Sequence, residues 1–323
     1  MLLPPMRPLA ACLALLLATC TRASPPVAPD AAPPDVALSP PDAPAPDAPP
    51  PDPRACATPD ACTWIEDYQR EVVAKLSGER PIAEGVTLTR RSSPGQRETT
   101  RAYLRAELRA AGLDTDYHTY PTGQNVRALL PPTSPSDAPR IVVGAHYDSV
   151  PAGPGAADDA TGVALVLVAA RYLSTLPRRD HPMEFVLFDQ EEIGLVGSAA
   201  YVATLRAESA TIDSAHTFDM LSFDGNGDNA VELWSPSAGL EDLYRLHGTP
   251  RGIPVRAVRF ASSDHQSFLR QGLPATGVGE EFVGDDHTPH YHRVTDTYDR
   301  VNFTYLAAMT RLALDVLADR AVD

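Results

Sequence analysis

Apolar residues recur along the chain with two periods. Trp64, Tyr68, Val72 and Leu76 stand four apart and predict a helix over 64–76. A second helix is predicted over 93–111: Ser93 can cap it, Pro94 suits its first position, Gln96 completes a capping box and Gly112 ends it. Apolar runs predict strands at 125–130, 140–146, 183–189, 217–221 and 275–278, and a buried helix over 161–173. Helices over 241–247, 264–270 and 302–317 complete the pattern, and no internal repeat is visible. Strands alternate with helices, and several strands are apolar throughout, as strands buried on both faces are. The pattern predicts an α/β fold: a three-layer α/β/α sandwich around a mixed, mostly parallel sheet. In such sheets ligands sit beyond the carboxyl ends of the strands.

The N-terminal 55 residues depart from that pattern. Residues 1–20 read as an export signal: Arg7 supplies a positive charge, and the apolar run over 9–18 is too short to span a membrane but right for a signal core. Leu17-Ala18-Thr19-Cys20 is similar to a bacterial lipobox, which implies a lipidated Cys20 and a membrane tether; plain secretion after cleavage near Ala23 is the alternative. Residues 21–55 carry 13 prolines between Pro25 and Pro53, with Ala and Asp in most other places. Such a stretch cannot bury enough apolar surface to offset its ordering entropy, so a disordered, semi-rigid linker is expected. The folded domain is then 56–323. Within it, Cys56 and Cys62 are expected to pair in a local disulfide, as suits an oxidising compartment. The net charge of -15 argues against a nucleic-acid partner. A monomer is expected.

Polar residues cluster after the predicted strands. The run at 141–146 ends in His146-Tyr147-Asp148, where Asp148 falls on the same side of an extended chain as His146 and can hold its second ring nitrogen. Asp158 and Asp159 open the buried helix, after the small residues Gly155, Ala156 and Ala157. Adjacent Glu191 and Glu192 follow a buried strand, so that one can ligate metal while the other takes a proton. Asp219 stands at another strand end, and Tyr291-His292 precede Asp296-Thr297. Singly, each has a bland reading, as a polar strand end, a helix N-terminus with acidic dipole partners or an acidic loop. Jointly, imidazoles and hard carboxylates recurring after successive strands suit zinc.

The order and spacing of these motifs resemble the co-catalytic zinc aminopeptidases, family twenty-eight of the metallopeptidases. That family includes bacterial leucyl aminopeptidases and the glutamate carboxypeptidases. The motifs that carry the resemblance are His146/Asp148, Asp158-Asp159-Ala160-Thr161-Gly162, Glu191-Glu192-Ile193-Gly194, Asp219-Met220 and His292/Asp296-Thr297. Ser263-Asp264-His265 is similar to a further family segment, and Phe218 stands where leucine is more usual. The resemblance implies a zinc-exopeptidase-like fold and two zinc ions per chain. It implies that His146 and Asp219 hold one ion, Glu192 and His292 the other, and Asp158 bridges them. Asp148 would orient His146, Glu191 would be the general base, and Tyr291 would stabilise the oxyanion. His287 and His290 compete with His292 by proximity, and the spacing to Asp296-Thr297 favours His292.

The activity so implied is release of N-terminal amino acids from peptides. The acidic segment with Glu280, Glu281, Asp285 and Asp286 is expected near the site, where it would favour a cationic amine. The alternatives are a glutaminyl cyclase of the same fold, which the paired Glu191-Glu192 speaks against, a carboxypeptidase, and a surface lipoprotein without catalysis.

Overall fold

The structure is a computed structural model and describes residues 56–323. The expected export signal, the lipidation site at Cys20 and the linker lie outside the described residues. In chain order the elements are α1 (Ile65–Leu76), α2 (Pro94–Ala110), β1 (Asp114–Tyr120), β2 (Gly123–Leu130), β3 (Arg140–His146), α3 (Ala160–Leu173), β4 (Met183–Phe188), α4 (Val196–Ala207), β5 (Ile212–Phe218), β6 (Val231–Trp234), α5 (Leu240–Gly248), β7 (Val255–Val258), α6 (His265–Leu269), β8 (Ala275–Gly279) and α7 (Phe303–Arg320).

The eight strands form one sheet in the order β1-β2-β4-β3-β5-β8-β6-β7. Its centre is parallel: β3 runs parallel to β4 and β5, and β5 to β8. The β1–β2 pair, β2 against β4, and β6 against β8 are antiparallel. The sheet is buried on both faces, and side-chain alternation along the central strands shows why. Ile141, Val143 and Ala145 of β3 join one core with α1, α3 and α7, while Val142 joins a second core with Tyr201, Leu205 and Phe268 from the opposite helical layer. Residues Phe185 and Leu187 of β4 likewise face the first core, and Val186 and Phe188 the second. The α/β/α sandwich is therefore the outcome of strands apolar on both sides.

Register brings the functional strand ends together. His146 pairs with Phe188, Gly144 with Thr217, and Phe218 with Val278, so β3, β4, β5 and β8 finish along one edge of the sheet. One expected strand is displaced in the structure, and four elements carry no sequence signal. The strand expected over 217–221 runs instead from Ile212 to Phe218. Its polar residues hide it: His216 is buried and hydrogen-bonded to Tyr244 Oη and Ser214 Oγ, both at 3.1 Å. Polar β1 escaped notice because it is an edge strand whose outer face is wet, and four-residue β6 and β7 are too short to show a period. Helix α4 starts from a left-handed Leu195 with no side-chain cap, so no start signal marks it.

The N-terminus of α2 follows its sequence signals. Ser93 Oγ accepts from Gln96 N while the Gln96 side chain reaches back to Ser93 N, with Pro94 in the first turn. Gly112, at φ +83°, ends the chain's helical course. Cys56 and Cys62 form a disulfide. Among the described residues no helix is long and apolar enough to cross a membrane. Ser93→Ala removes the Oγ acceptor for Gln96 N while leaving the backbone N–H that the Gln96 side chain accepts from, and is expected to lower unfolding stability by about 1 kcal/mol, read from the urea midpoint at constant m; an unchanged midpoint would show that the Ser93 hydroxyl does not set the helix start.

Candidate active site

The functional side chains stand at strand ends and in the loops that follow them. His146 is the last residue of β3, Glu191 and Glu192 follow β4, and Asp219 follows β5. The β3–α3 connection delivers Asp158, and the loop before α7 delivers His292. Asp158 lies at the centre: its Oδ1 is 3.0 Å from His146 Nε2 and its Oδ2 is 3.2 Å from His292 Nε2. His146 Nε2 also lies 3.6 Å from Asp219 Oδ1, and His292 Nε2 lies 3.0 Å from Glu192 Oε2. One carboxylate thus spans two imidazole–carboxylate pairs. His287 stacks on Phe282 and His290 bonds Thr295 Oγ1 at 2.9 Å, so both stand outside the cluster.

The surrounding loops are held by a small number of buried groups. Asp148 Oδ1 is 3.4 Å from His146 Nδ1, and the same carboxylate accepts the backbone N–H of Glu191 at 3.0 Å and of Glu192 at 3.3 Å. It therefore ties the ends of β3 and β4 to each other, a second duty that the spacing did not reveal. Asp296 accepts from Ala157 N at 2.7 Å and Asp158 N at 3.2 Å, fixing the bridging residue from the far end of the sequence. Asp159 faces the cluster too, but its Oδ1 caps α3 through Gly162 N at 2.8 Å and also takes Met220 N at 3.2 Å. Gly162 is required there, since a Cβ would collide with Phe218 O and the Asp159 carboxylate. Arg91, fully buried, donates to the carbonyls of Tyr147, Pro154, Gly155 and Leu76 at 2.7–2.9 Å, pinning the β3–α3 loop to the end of α1. Gln190, Leu195, Met220 and His292 all have positive φ, a concentration of backbone strain around one site.

Polar atoms without partners converge here. Glu192 Oε1, Asp219 Oδ1 and His146 Nδ1 are buried and accept or donate no aligned hydrogen bond. Candidate ligand atoms of His146, Asp158 and Glu192 all lie within 4.8 Å of one another, as do those of His146, Asp159 and Asp219. Both groups satisfy distance, and Asp158 is the residue whose two oxygens address both imidazoles. The charges fit a cation as well. Burial works against Asp158, yet its contacts with His146 and His292 hold it below the ordinary carboxylate range. His292 is pushed up to about 10 by contact with Asp158 and Glu192. Burial, then the charge of Asp158, pushes Glu192 up to about 7. Burial opposes a charged His146, but Glu191 and the contacts with Asp148, Asp158 and Asp219 raise it well above its usual value. Protons are what neutralise this cluster, and a metal ion would take their place.

Next to the cluster opens a cavity of about 430 Å³. Glu191 lines it, and among the described residues its carboxylate accepts no hydrogen bond; burial raises its pKa well above the ordinary range. Trp234, Phe260, Phe282 and Tyr291 supply aromatic walls, and the Tyr291 ring stacks on His292 with centroids 3.8 Å apart. None of these walls except Tyr291 carried a signal in the sequence, because an isolated aromatic looks like core.

The sequence model of peptidase family M28 matches residues 125–317. The chain belongs to peptidase family M28. Among curated relatives, the probable lipoprotein aminopeptidase LpqL of Mycobacterium tuberculosis is 31% identical over 202 residues, covering 53% of this chain and 40% of LpqL. The chain therefore spans less than half the length of that relative. BSAP, a zinc aminopeptidase from Bacillus subtilis, superposes with a TM-score of 0.58 at 25% identity, over 62% of this chain and 50% of BSAP. Porphyromonas gingivalis glutaminyl cyclase superposes with a TM-score of 0.64 at 17% identity, over 79% of this chain and 98% of the cyclase, a likeness of fold alone.

The acidic segment of this M28 chain corrects one expectation. Phe282, Tyr291 and His292 line the cavity, but the four acids do not. Glu280 accepts from Ser222 N at 2.8 Å and Thr288 N at 2.7 Å, and Glu281 pairs with Arg256. Asp286 accepts from Gly225 N and Asn226 N, and Asp285 takes a turn position with φ +63°. The carboxylates of Glu280, Glu281 and Asp286 hold the loop together.

Two outcomes follow for metal binding. Asp148→Asn keeps the volume but loses the charge and one acceptor, and zinc affinity is expected to fall about 10–100-fold in a chelator competition, with the far-UV spectrum intact; native affinity would remove Asp148 from the site's support. Zinc must also displace protons. Between about pH 7 and 10 the proton on His292 opposes binding, and below about pH 7 the one on Glu192 joins it. Apparent affinity should thus rise with pH, with a steeper slope below about 7, and a flat profile over that interval would contradict the ligand assignment.

Proposed function

We propose that the chain is a zinc-dependent aminopeptidase with two ions per catalytic domain, releasing N-terminal residues from peptides. The observation that carries this reading is the bridging geometry of Asp158, with one oxygen on His146 and the other on His292. His146 and Asp219 would hold one ion and Glu192 and His292 the other. Zinc so held supplies Lewis-acid polarisation of a carbonyl and acidification of a water.

The chain's own residues do the rest. Glu191, free of internal partners at the cavity wall, takes a proton from the attacking water at its carboxylate and returns it to the leaving amine. Asp148 keeps the imidazole of His146 and the Glu191-Glu192 turn in register. The Tyr291 hydroxyl, which forms no hydrogen bond among the described residues, is available to donate to the developing oxyanion. The aromatic walls exclude water and accept an apolar side chain, and the carboxylate-rich end of the cavity receives the substrate's ammonium group. Export, with a lipid tether at Cys20, belongs to this proposal and finds support in the lipoprotein name of LpqL; a monomeric state is a further part of the proposal.

A glutaminyl cyclase is the second reading, favoured by one observation: this chain covers 98% of the cyclase but half of BSAP. Zinc per chain, with turnover of unblocked aminoacyl-nitroanilides, N-blocked peptides and a glutamine-initiated peptide, separates the readings. Two zincs and cleavage of unblocked substrates are expected; one zinc with ring closure of glutamine would establish the cyclase instead, and preference for N-blocked substrates a carboxypeptidase. Glu191→Gln should reduce kcat by at least about 10²-fold with zinc content retained, and near-native turnover would show that another group is the base.

A further inference from the structure

The lining of the catalytic cavity contains one arginine. Arg270 closes the C-terminal end of α6, where its backbone N–H bonds to Gln266 O, so the helix fixes the root of the side chain. Its guanidinium is exposed on the cavity wall and makes no hydrogen bond or ion pair among the described residues. The acids of the neighbouring loop cannot neutralise it, because Glu280, Glu281 and Asp286 are committed to Ser222 and Thr288, to Arg256, and to Gly225 and Asn226. The remaining acids on the wall are those of the metal cluster. Beyond Phe260 and Ala261, which also line the cavity, a second groove carries Arg259, likewise exposed and without a side-chain partner among the described residues. Two arginines without side-chain partners among the described residues thus stand on the cavity wall and in the adjoining groove, while the other charged residues lining the cavity, His292 apart, are carboxylates.

A guanidinium left unpaired beside a reaction site matches a carboxylate, which its planar fork can take with two hydrogen bonds. With an ammonium held by the carboxylate cluster and an apolar side chain against the aromatic walls, the group left for Arg270 to take is a carboxylate elsewhere on the same substrate. A cavity of about 430 Å³ is of the size that encloses a small ligand such as a dipeptide. We propose that Arg270 receives a carboxylate of the substrate beyond the scissile bond, which makes short peptides with a free terminal carboxylate, or peptides acidic at the second residue, the preferred substrates. The proposal rests on the aminopeptidase reading above and adds a substrate class to it.

The test compares Leu-Leu with Leu-Leu-amide, and Leu-Asp-amide with Leu-Asn-amide, on the zinc-loaded chain and on R270Q and R270K. The parent chain is expected to favour the carboxylate-bearing member of at least one pair about tenfold in kcat/KM, mainly through KM. The first pair identifies the terminal carboxylate as the source and the second an acidic side chain. R270Q should bring the ratio close to one, and R270K, which keeps the charge without the fork, should retain part of it. Ratios near one in the parent chain, or a preference that survives in R270Q, overturn the assignment. Calorimetry of the same peptides with zinc-loaded E191Q reads the preference without turnover. Carboxylate-selective binding by a chain whose parent cleaves none of these peptides would support Arg270 and tell against the aminopeptidase reading. Cleavage without selectivity would do the reverse.

Discussion

Carboxylates outnumber cations where β3, β4 and β5 end, and they can sit together only if something positive sits among them. Asp158 is the centre of that constraint, because its two oxygens engage His146 on one side and His292 on the other. In water such groups would separate and hydrate. Here they are held by burial and by backbone amides, and the excess negative charge is relieved by protons on imidazole and on Glu192. A site of this kind is built for divalent cations, and the membership of family M28 accords with it.

Holding these side chains in place requires support from distant parts of the chain. Asp158 is fixed by Asp296, 138 positions away. The turn that carries Glu191 and Glu192 is fixed by Asp148 from the neighbouring strand. Arg91 locks the intervening loop through carbonyls alone, so its buried charge is solvated by backbone dipoles instead of a counter-ion. Left-handed backbone turns the chain sharply at Met220, next to Asp219, and at His292 itself. Such conformations persist only where surrounding contacts over-determine them, and the three-layer core does this.

Much of the fold was readable because periodicity reports burial directly. Strands β3 and β4, apolar on both sides, had to be covered by helices on both faces. The boundaries of α2 were readable because Ser93, Pro94, Gln96 and Gly112 act locally. What escaped was structure whose stability comes from elsewhere: polar β1, supported by its pairing with β2, and α4, which starts without a cap. The acidic segment misled for the same reason. Charge along a sequence says nothing about which carboxylates a loop consumes in holding itself together, and Glu280 and Glu281 are consumed in that way.

The sequence by itself determined the α/β class, the places where chemistry-bearing residues follow strands, and the set of residue types suited to zinc. It could do so because side-chain period and motif spacing are local properties. Only the tertiary structure showed that the two oxygens of Asp158 reach His146 and His292, why Asp159 serves as a helix cap, and which aromatic residues and which arginine wall the cavity. Those outcomes depend on strand register and on loops packed from distant parts of the chain, and no local pattern encodes the distance between two side chains more than a hundred residues apart.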